Sequence, residues 1–383
     1  MHMDPAMPHI VGITLLILLI ALVLKILKQP HVIAYLVAGI ALGPWGLTLI
    51  NDADLINRLG AMGVVLLLFF VGMETDAKQL ARNWRLALVG TGLQILSSLG
   101  LVFVLGHFLD WPFERILLIA FVMSLSSTAV VIQLLQDKGL MNDRIGQGAL
   151  SILLAQDMAL IPMLIILGMQ GAGEVSTFTI IKQSIGTLLA IMLFVVLVKA
   201  KQVRLPLGQW LKGDKELQVF AALGLCLGFA LISGWFELST ALGAFLAGML
   251  VGSAKETQWV HHTLESLKVV FVALFFVSVG LLLNLGFLQQ NLLLVMTLVA
   301  VTLIGKTLLN SLILKGANYS WRESIVTGAM LSQIGEFSFV LTAVGFQAGM
   351  ISDFGHQLAL CVISITLLVS PLWIGIAERK TEV

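Results

Sequence analysis

GQGALSILLAQDMALIP, from Gly146 to Pro162, decides how the rest of the chain is read. Its composition is that of a membrane-spanning helix, yet Gln156 and Asp157 stand side by side in its middle. Asp157 lies eleven residues beyond Gly146, about 16 Å along a helix that rises roughly 1.5 Å per residue. That is near the centre of a hydrocarbon layer about 30 Å thick. An aspartate at such depth costs roughly 2.5–3.5 kcal/mol on insertion scales, and residues of this kind are usually functional. Two readings follow: an ion or proton site, or a carboxylate that neutralises a lysine on a neighbouring helix.

The composition agrees with a polytopic membrane protein. Of 383 residues, 58% are hydrophobic and only 11% charged, against about 25% charged in soluble domains. The net charge is +1 and its carriers are sorted by loop, so no nucleic-acid partner is expected. Cys226 and Cys361 sit in apolar runs and read as small buried hydrophobes. Neither a disulfide framework nor a zinc spacing is present. The N-terminal MHMDPAMPHI lacks a basic region ahead of the first apolar run, so a cleaved signal peptide is not expected.

Apolar runs of about 20 residues define thirteen candidate spans. Their limits are 7–27, 31–49, 59–73, 85–107, 114–135, 146–168, 180–199, 217–233, 239–254, 267–283, 290–313, 323–346 and 355–376. With the N-terminus outside, the cytoplasmic loops and C-terminus hold 18 of the 22 Lys and Arg residues. Only Arg58, Arg115 and Lys182 fall outside, and Lys306 falls within the membrane. That asymmetry obeys the positive-inside rule. An odd number of spans leaves the C-terminus cytoplasmic.

The chain also repeats itself. AGIALG (Ala38–Gly43) returns as AGMLVG (Ala247–Gly252), and LFFV (Leu68–Val71) as LFFV (Leu274–Val277). Gly146 and Pro162 return as Gly355 and Pro371. The offset covers seven spans, so the copies have opposite orientations, the inverted-repeat plan of secondary transporters. The first repeat is 1–172, the second 217–383, and 173–216 links them through span seven and a basic loop. The charge is not repeated: Asp157 corresponds to Thr366 and Gln156 to Ile365.

Spans five and twelve contain the strongest helix-weakening signals. Span five reads MSLSSTAVVIQ, with Ser124, Ser126, Ser127 and Thr128 at its midpoint. Its mate reads MLSQIGEFSFVL, with Ser332, Gln333, Gly335 and Glu336. Local hydrogen bonding by hydroxyls and the freedom of glycine both weaken a helix. Paired interruptions at matching repeat positions point to a transporter's binding site. Asp157, Gln156, Ser126, Ser127, Thr128, Ser332 and Gln333 are therefore the candidate ion- and proton-binding set. Lys306, at the centre of span eleven, either pairs with Asp157 or holds the broken helices. Glu336 is the third deep charge, and a structural carboxylate bonded to backbone amides is the favoured reading. Gly-x-x-x-Gly spacings at Gly39–Gly43 and Gly248–Gly252 serve close helix packing. His261, His262 and Glu265 read as a solvated loop, and Glu74 and Asp76 as the end of a span. No GxGxxG, Walker A, HExxH or GxSxG sequence is present, so an enzyme is not expected.

These segments resemble the monovalent cation:proton antiporter-2 family, and the Kef-type potassium/proton antiporters within it. The carriers are LLAQDMALIP (Leu153–Pro162), SLSSTAVV (Ser124–Val131), LSQIGEFSFVL (Leu331–Leu341), AGIALGPWGL (Ala38–Leu47) and LESLKVVFVALFFVSVGLLLN (Leu264–Asn284). The resemblance implies an all-α membrane protein of the NhaA/NapA-like antiporter fold, with thirteen spans in two inverted repeats. It also implies a homodimer through scaffold spans, and a moving core made of spans four to six and eleven to thirteen. Asp157 matches the family's ion-binding and proton-accepting aspartate, and Lys306 its core lysine. Kef systems continue into a soluble nucleotide-binding regulatory domain. This chain stops at Val383, so it is either a shortened form or a relative without that domain. HHTLESLKVV keeps the His-x-Leu-Glu start of the Kef regulatory loop without its acidic continuation, so glutathione gating is not expected.

The function expected is exchange of K+, or alternatively Na+, for H+ across a bacterial inner membrane, electroneutral and with no covalently bound cofactor. A gated potassium channel is the rival from another class, but the chain lacks a TVGYG-type filter.

Overall fold

The computed structural model describes residues 7–26, 31–50, 53–74, 84–141, 143–169, 177–199, 214–236, 238–253 and 258–381. All regular structure among them is α-helical. The first half contains α1 (Met7–Ile26), α2 (His31–Leu42), α3 (Ala53–Glu74), α4 (Trp84–Phe108), α5 (Phe113–Ser124), α6 (Thr128–Asp137) and α7 (Arg144–Gly168). Next come α8 (Thr177–Lys199), α9 (Lys215–Trp235), α10 (Thr240–Ser253), α11 (Gln258–Leu282) and the short α12 (Leu285–Gln290). The chain ends with α13 (Leu292–Gly316), α14 (Trp321–Met330), α15 (Phe337–Gln347) and α16 (Asp353–Thr381).

The fold is an all-α membrane architecture with inverted repeats and interrupted helices. Five described helices are long and apolar enough to cross a bilayer unaided, among them Arg144–Gly168 and Leu292–Gly316. Seven shorter apolar helices accompany them. The expected spans five and twelve are each two helices, α5/α6 and α14/α15. Span two is shorter than expected: α2 ends at Leu42, ahead of Pro44, which disfavours helix in the residue before it. The chain then turns, with Leu47 N donating to Ala41 O at 2.7 Å. By contrast α7 and α16 run unbroken through Pro162 and Pro371.

The chain divides into two compact units, Met1–Ile56 with Lys78–Leu160 and Phe276–Val383, and Asn57–Ala77 with Ile161–Phe275. Within the first, buried Val131, Leu135, Ile152, Leu314, Met330 and Ile374 draw α6, α7, α13, α14 and α16 around one core. Within the second, Phe69, Phe70, Cys226 and Ala244 join α3, α9 and α10. Cys361 is buried as well. Between membrane helices, close packing of small residues replaces the hydrophobic drive. A methyl group on Gly39 would come 2.1 Å from the Val277 carbonyl oxygen, and one on Gly280 2.2 Å from that of Leu36. The repeat places the same crossing in the second unit: Gly248 against Phe69 O at 2.0 Å, and Gly72 against Phe245 O at 2.2 Å.

Candidate functional site

The site lies where the interruptions of α5/α6 and α14/α15 meet. α5 ends at Ser124, and Leu125 leaves it extended, with φ −79° and ψ 146°. Ser127, also extended, starts α6 by accepting Val130 N on its hydroxyl at 3.2 Å. This is the usual N-cap arrangement, in which a side-chain oxygen takes an orphan amide. The second interruption follows the end of α14 at Met330, and α15 resumes at Phe337. The two cross backbone to backbone: Gly335 N donates to Leu125 O at 3.2 Å. A methyl group at Gly335 would stand 2.5 Å from the Ser126 carbonyl oxygen, so only glycine allows this approach.

Freed main-chain groups would be costly in a water-poor interior, and side chains satisfy them. Ser126 N donates to Gln156 Oε1 at 2.9 Å, while Gln156 Nε2 donates to Ser124 O at 3.1 Å. Ser126 Oγ donates to Leu331 O at 2.7 Å, and Ser338 Oγ to Val122 O at 2.8 Å. Ile334 N finds Thr366 Oγ1 at 3.3 Å. Gln333 Nε2 reaches Ser127 O at 3.4 Å, and Ser332 Oγ bonds back to Ala329 O at 2.7 Å.

Lys306 is buried from α13 into this crossing. It donates to Leu125 O at 2.7 Å, Gln333 O at 3.0 Å and Ser126 Oγ at 3.3 Å. An ammonium has three donors, and each has an acceptor here. Leu125 and Leu331 are the C-caps of α5 and α14, and helix C-termini favour cations. Of the two roles open to Lys306, holding the broken helices is the one its bonds describe; they do not include Asp157.

Asp157 is half-buried, unlike enclosed Gln156. The Thr128 hydroxyl bridges its two oxygens at 3.2 and 3.3 Å. Thr128 opens α6, so the carboxylate stands by a helix N-terminus, the end that favours negative charge. A carboxylate in that setting, reachable by water, can take up a proton or a cation. Glu336 is buried at the start of α15, but it does not cap that helix with its side chain. The side chains of Glu74, His261, His262 and Glu265, and all of Asp76, lie outside the described residues.

Gln94 and Asn310 were not anticipated. Gln94 Nε2 donates to Asn310 Oδ1 at 2.6 Å, and Gln156 Nε2 to Gln94 Oε1 at 2.8 Å. Both were visible as amides amid apolar spans, and Asn310 follows Lys306 by four residues, on the same helix face.

Crossed interrupted helices with a deep carboxylate define a secondary cation/proton antiporter. The chain belongs to the sodium/hydrogen exchanger family, whose transmembrane model matches residues 12–379. It is therefore a membrane-embedded transporter, not an enzyme, and its substrates are cations and protons. It is 35% identical to the iron transporter MagA of Paramagnetospirillum magneticum, over 93% of this chain and 82% of that protein. It is 29% identical to the putative cation/proton antiporter YbaL of Escherichia coli, over 100% of this chain and 70% of that one. The fold matches the sodium proton antiporter MjNhaP1 of Methanocaldococcus jannaschii with a TM-score of 0.68 at 17% identity, covering 98% and 99% of the two chains.

Proposed function

We propose that this chain exchanges cytoplasmic K+ for external H+, one for one, with Asp157 as the shared site. The observation that carries the reading is the half-buried Asp157 carboxylate beside Thr128, next to the crossing of the interrupted helices. Proton and cation compete for one carboxylate, and alternation of the core between the two faces turns that competition into exchange. Ser126, Ser127, Ser332 and Gln333 bound the cation's surroundings in this reading, Gln156 and Lys306 hold the first interruption, and Glu336 stands beside them. The Kef-like sequence around Gln156–Asp157 supports potassium, and sodium is the alternative cation. The protein works as a homodimer in a bacterial inner membrane, N-terminus out and C-terminus in, its halves 1–172 and 217–383 joined by 173–216.

Iron is a second reading, raised by the name of MagA. Among the described residues no group of three or more His, Cys, Asp and Glu gathers, and one carboxylate with hydroxyls and carbonyls suits a hard monovalent ion better than ferrous iron.

The experiment is dequenching of a pH dye in proteoliposomes on addition of KCl, NaCl, LiCl or ferrous salt. Cation-dependent proton movement with K+ strongest, lost in Asp157→Asn at normal folding, is the expected result. Substantial exchange retained by Asp157→Asn would sink the mechanism. Conductive K+ flux without proton movement would favour a channel.

A further inference from the structure

Gln94 on α4 and Asn310 on α13 stand outside the ion-binding set, yet they are 3% and 1% exposed, too enclosed for water to serve them. Buried amides are costly unless their donors and acceptors are matched. These two complete a hydrogen-bonded relay with one direction. Ser126 N donates to Gln156 Oε1 at 2.9 Å, and Gln156 Nε2 to Gln94 Oε1 at 2.8 Å. Gln94 Nε2 donates to Asn310 Oδ1 at 2.6 Å, and Asn310 Nδ2 to Leu331 O at 3.2 Å. A backbone N–H can only donate and a backbone C=O can only accept. The two ends therefore fix the orientation of all three side-chain amides: turning any one over would set donor against donor and acceptor against acceptor. Leu331 O also receives Ser126 Oγ at 2.7 Å, so the relay closes on the residue where it begins.

The relay acts on a single peptide unit. The Ser126 N–H and the Leu125 C=O belong to the same planar group. Gln156 holds its N–H edge, while Lys306 at 2.7 Å and Gly335 N at 3.2 Å hold its C=O edge. Two residues further on, Thr128 places its hydroxyl on Asp157. Without Gln94 the Gln156 amide is held by Ser124 O alone, at 3.1 Å. The looser grip on the N–H edge lets this peptide tilt about its fixed C=O, shifting the groups beside Asp157 without altering the carboxylate itself.

We propose that Gln94 and Asn310 are positioning residues that set the cation affinity of the transport site by fixing the Gln156 amide. The inference rests on Asp157 being the shared site.

The test measures KM and kcat for cation-dependent proton flux in proteoliposomes of wild type, Gln94→Met, Asn310→Leu and the double variant, with thermal unfolding beside each. Both replacements keep side-chain length or volume and remove the relay's donors. Each single variant should raise the cation KM about tenfold, the cost of one unmatched buried hydrogen bond, with kcat within about twofold. The double variant should equal the worse single, because a relay cut twice is cut once. Wild-type KM in either folded single variant overturns the proposal. So does a fall in kcat and melting temperature at unchanged KM, which is the signature of packing alone, or multiplicative effects in the double variant. Should Gln94→Met fail to fold, Asn310→Leu, or the milder Asn310→Ser, decides by the same criteria. A wild type that moves no protons with any cation would instead refute the antiport reading.

Discussion

Thr366 stands where the repeat would place a second Asp157, and its hydroxyl accepts the freed amide of Ile334 at 3.3 Å. In the first half the corresponding duty, receiving Ser126 N, falls to Gln156, one residue before the carboxylate. The duplicated helix thus spends a side chain on its neighbour's interruption in both halves. Only in the first is the residue after that side chain a carboxylate, Asp157, which the Thr128 hydroxyl meets.

Thr366→Val therefore tests structure and leaves the chemistry in place. The Ile334 amide would lose its acceptor, a cost of about 1–3 kcal/mol. The expected outcome is a lower melting temperature in detergent with cation-dependent proton flux retained. Loss of flux at an unchanged melting temperature would place Thr366 in the ion site.

Gly335→Ala should abolish or severely reduce folded protein, because the added carbon meets main-chain atoms of Ser126 and Ser127 at 2.5–2.9 Å, and backbone cannot yield as a side-chain tip does. Gly305→Ala is the control. It has nothing within 4 Å of the added carbon and lies in mid-helix, where alanine is favoured by roughly 0.5–1 kcal/mol. Size-exclusion profiles and melting curves of the two variants check the contrast, and a stable Gly335→Ala protein would refute the crossing geometry.

Lys306→Met keeps the stem and removes the three donors that meet Leu125 O, Gln333 O and Ser126 Oγ. Leu125 O keeps the Gly335 amide, but Gln333 O loses the ammonium. An unpaired buried carbonyl costs about 1–3 kcal/mol, so thermal stability and yield should fall first. Lys306→Gln, which retains two donors, should recover part of that loss. A Lys306→Met protein that melts like wild type while its pH profile moves would return the lysine to direct pairing with Asp157.

On the proposed shared site, the sign of the pH dependence follows from competition at one carboxylate. As pH rises the proton leaves Asp157, so the apparent KM for the cation should fall with pH and level off once the carboxylate is ionised. Flux measured from pH 6 to 9 at several cation concentrations checks this, and a KM that rises with pH excludes a shared site. One carboxylate also implies no net charge per cycle. A membrane potential imposed without ion gradients should then drive no proton movement. If it does, Glu336 or Lys306 titrates within the cycle.

Much of this was legible in residue types. Runs of apolar residues gave the spans, and Ser124–Thr128 and Ser332–Glu336 marked both interruptions, because hydroxyls, amides and glycine at mid-membrane cannot serve a plain helix. Partnerships were not legible. Gln156 reads as part of the ion-binding set, and adjacent helical residues point about 100° apart, so the sequence alone does not show that its side chain meets the Ser126 amide. Lys306 could equally have met a carboxylate or carbonyls, since charge alone does not say which lies nearer. Gln94 and Asn310 passed unnoticed because their meaning is 216 residues of separation brought to one hydrogen bond.

The crossing also sets a timetable for biogenesis. Ser126 receives its Leu331 partner across 205 residues of chain, and Leu125 its Lys306 partner across 181. At about 5–20 residues synthesised per second, the first interruption waits roughly 10–40 s for the groups that complete it. During that interval its hydroxyls and open peptide groups, and the Asp157 carboxylate, reside in or beside the membrane with half of their final company missing. The nascent first half therefore carries an unfinished crossing until the second half arrives to close it.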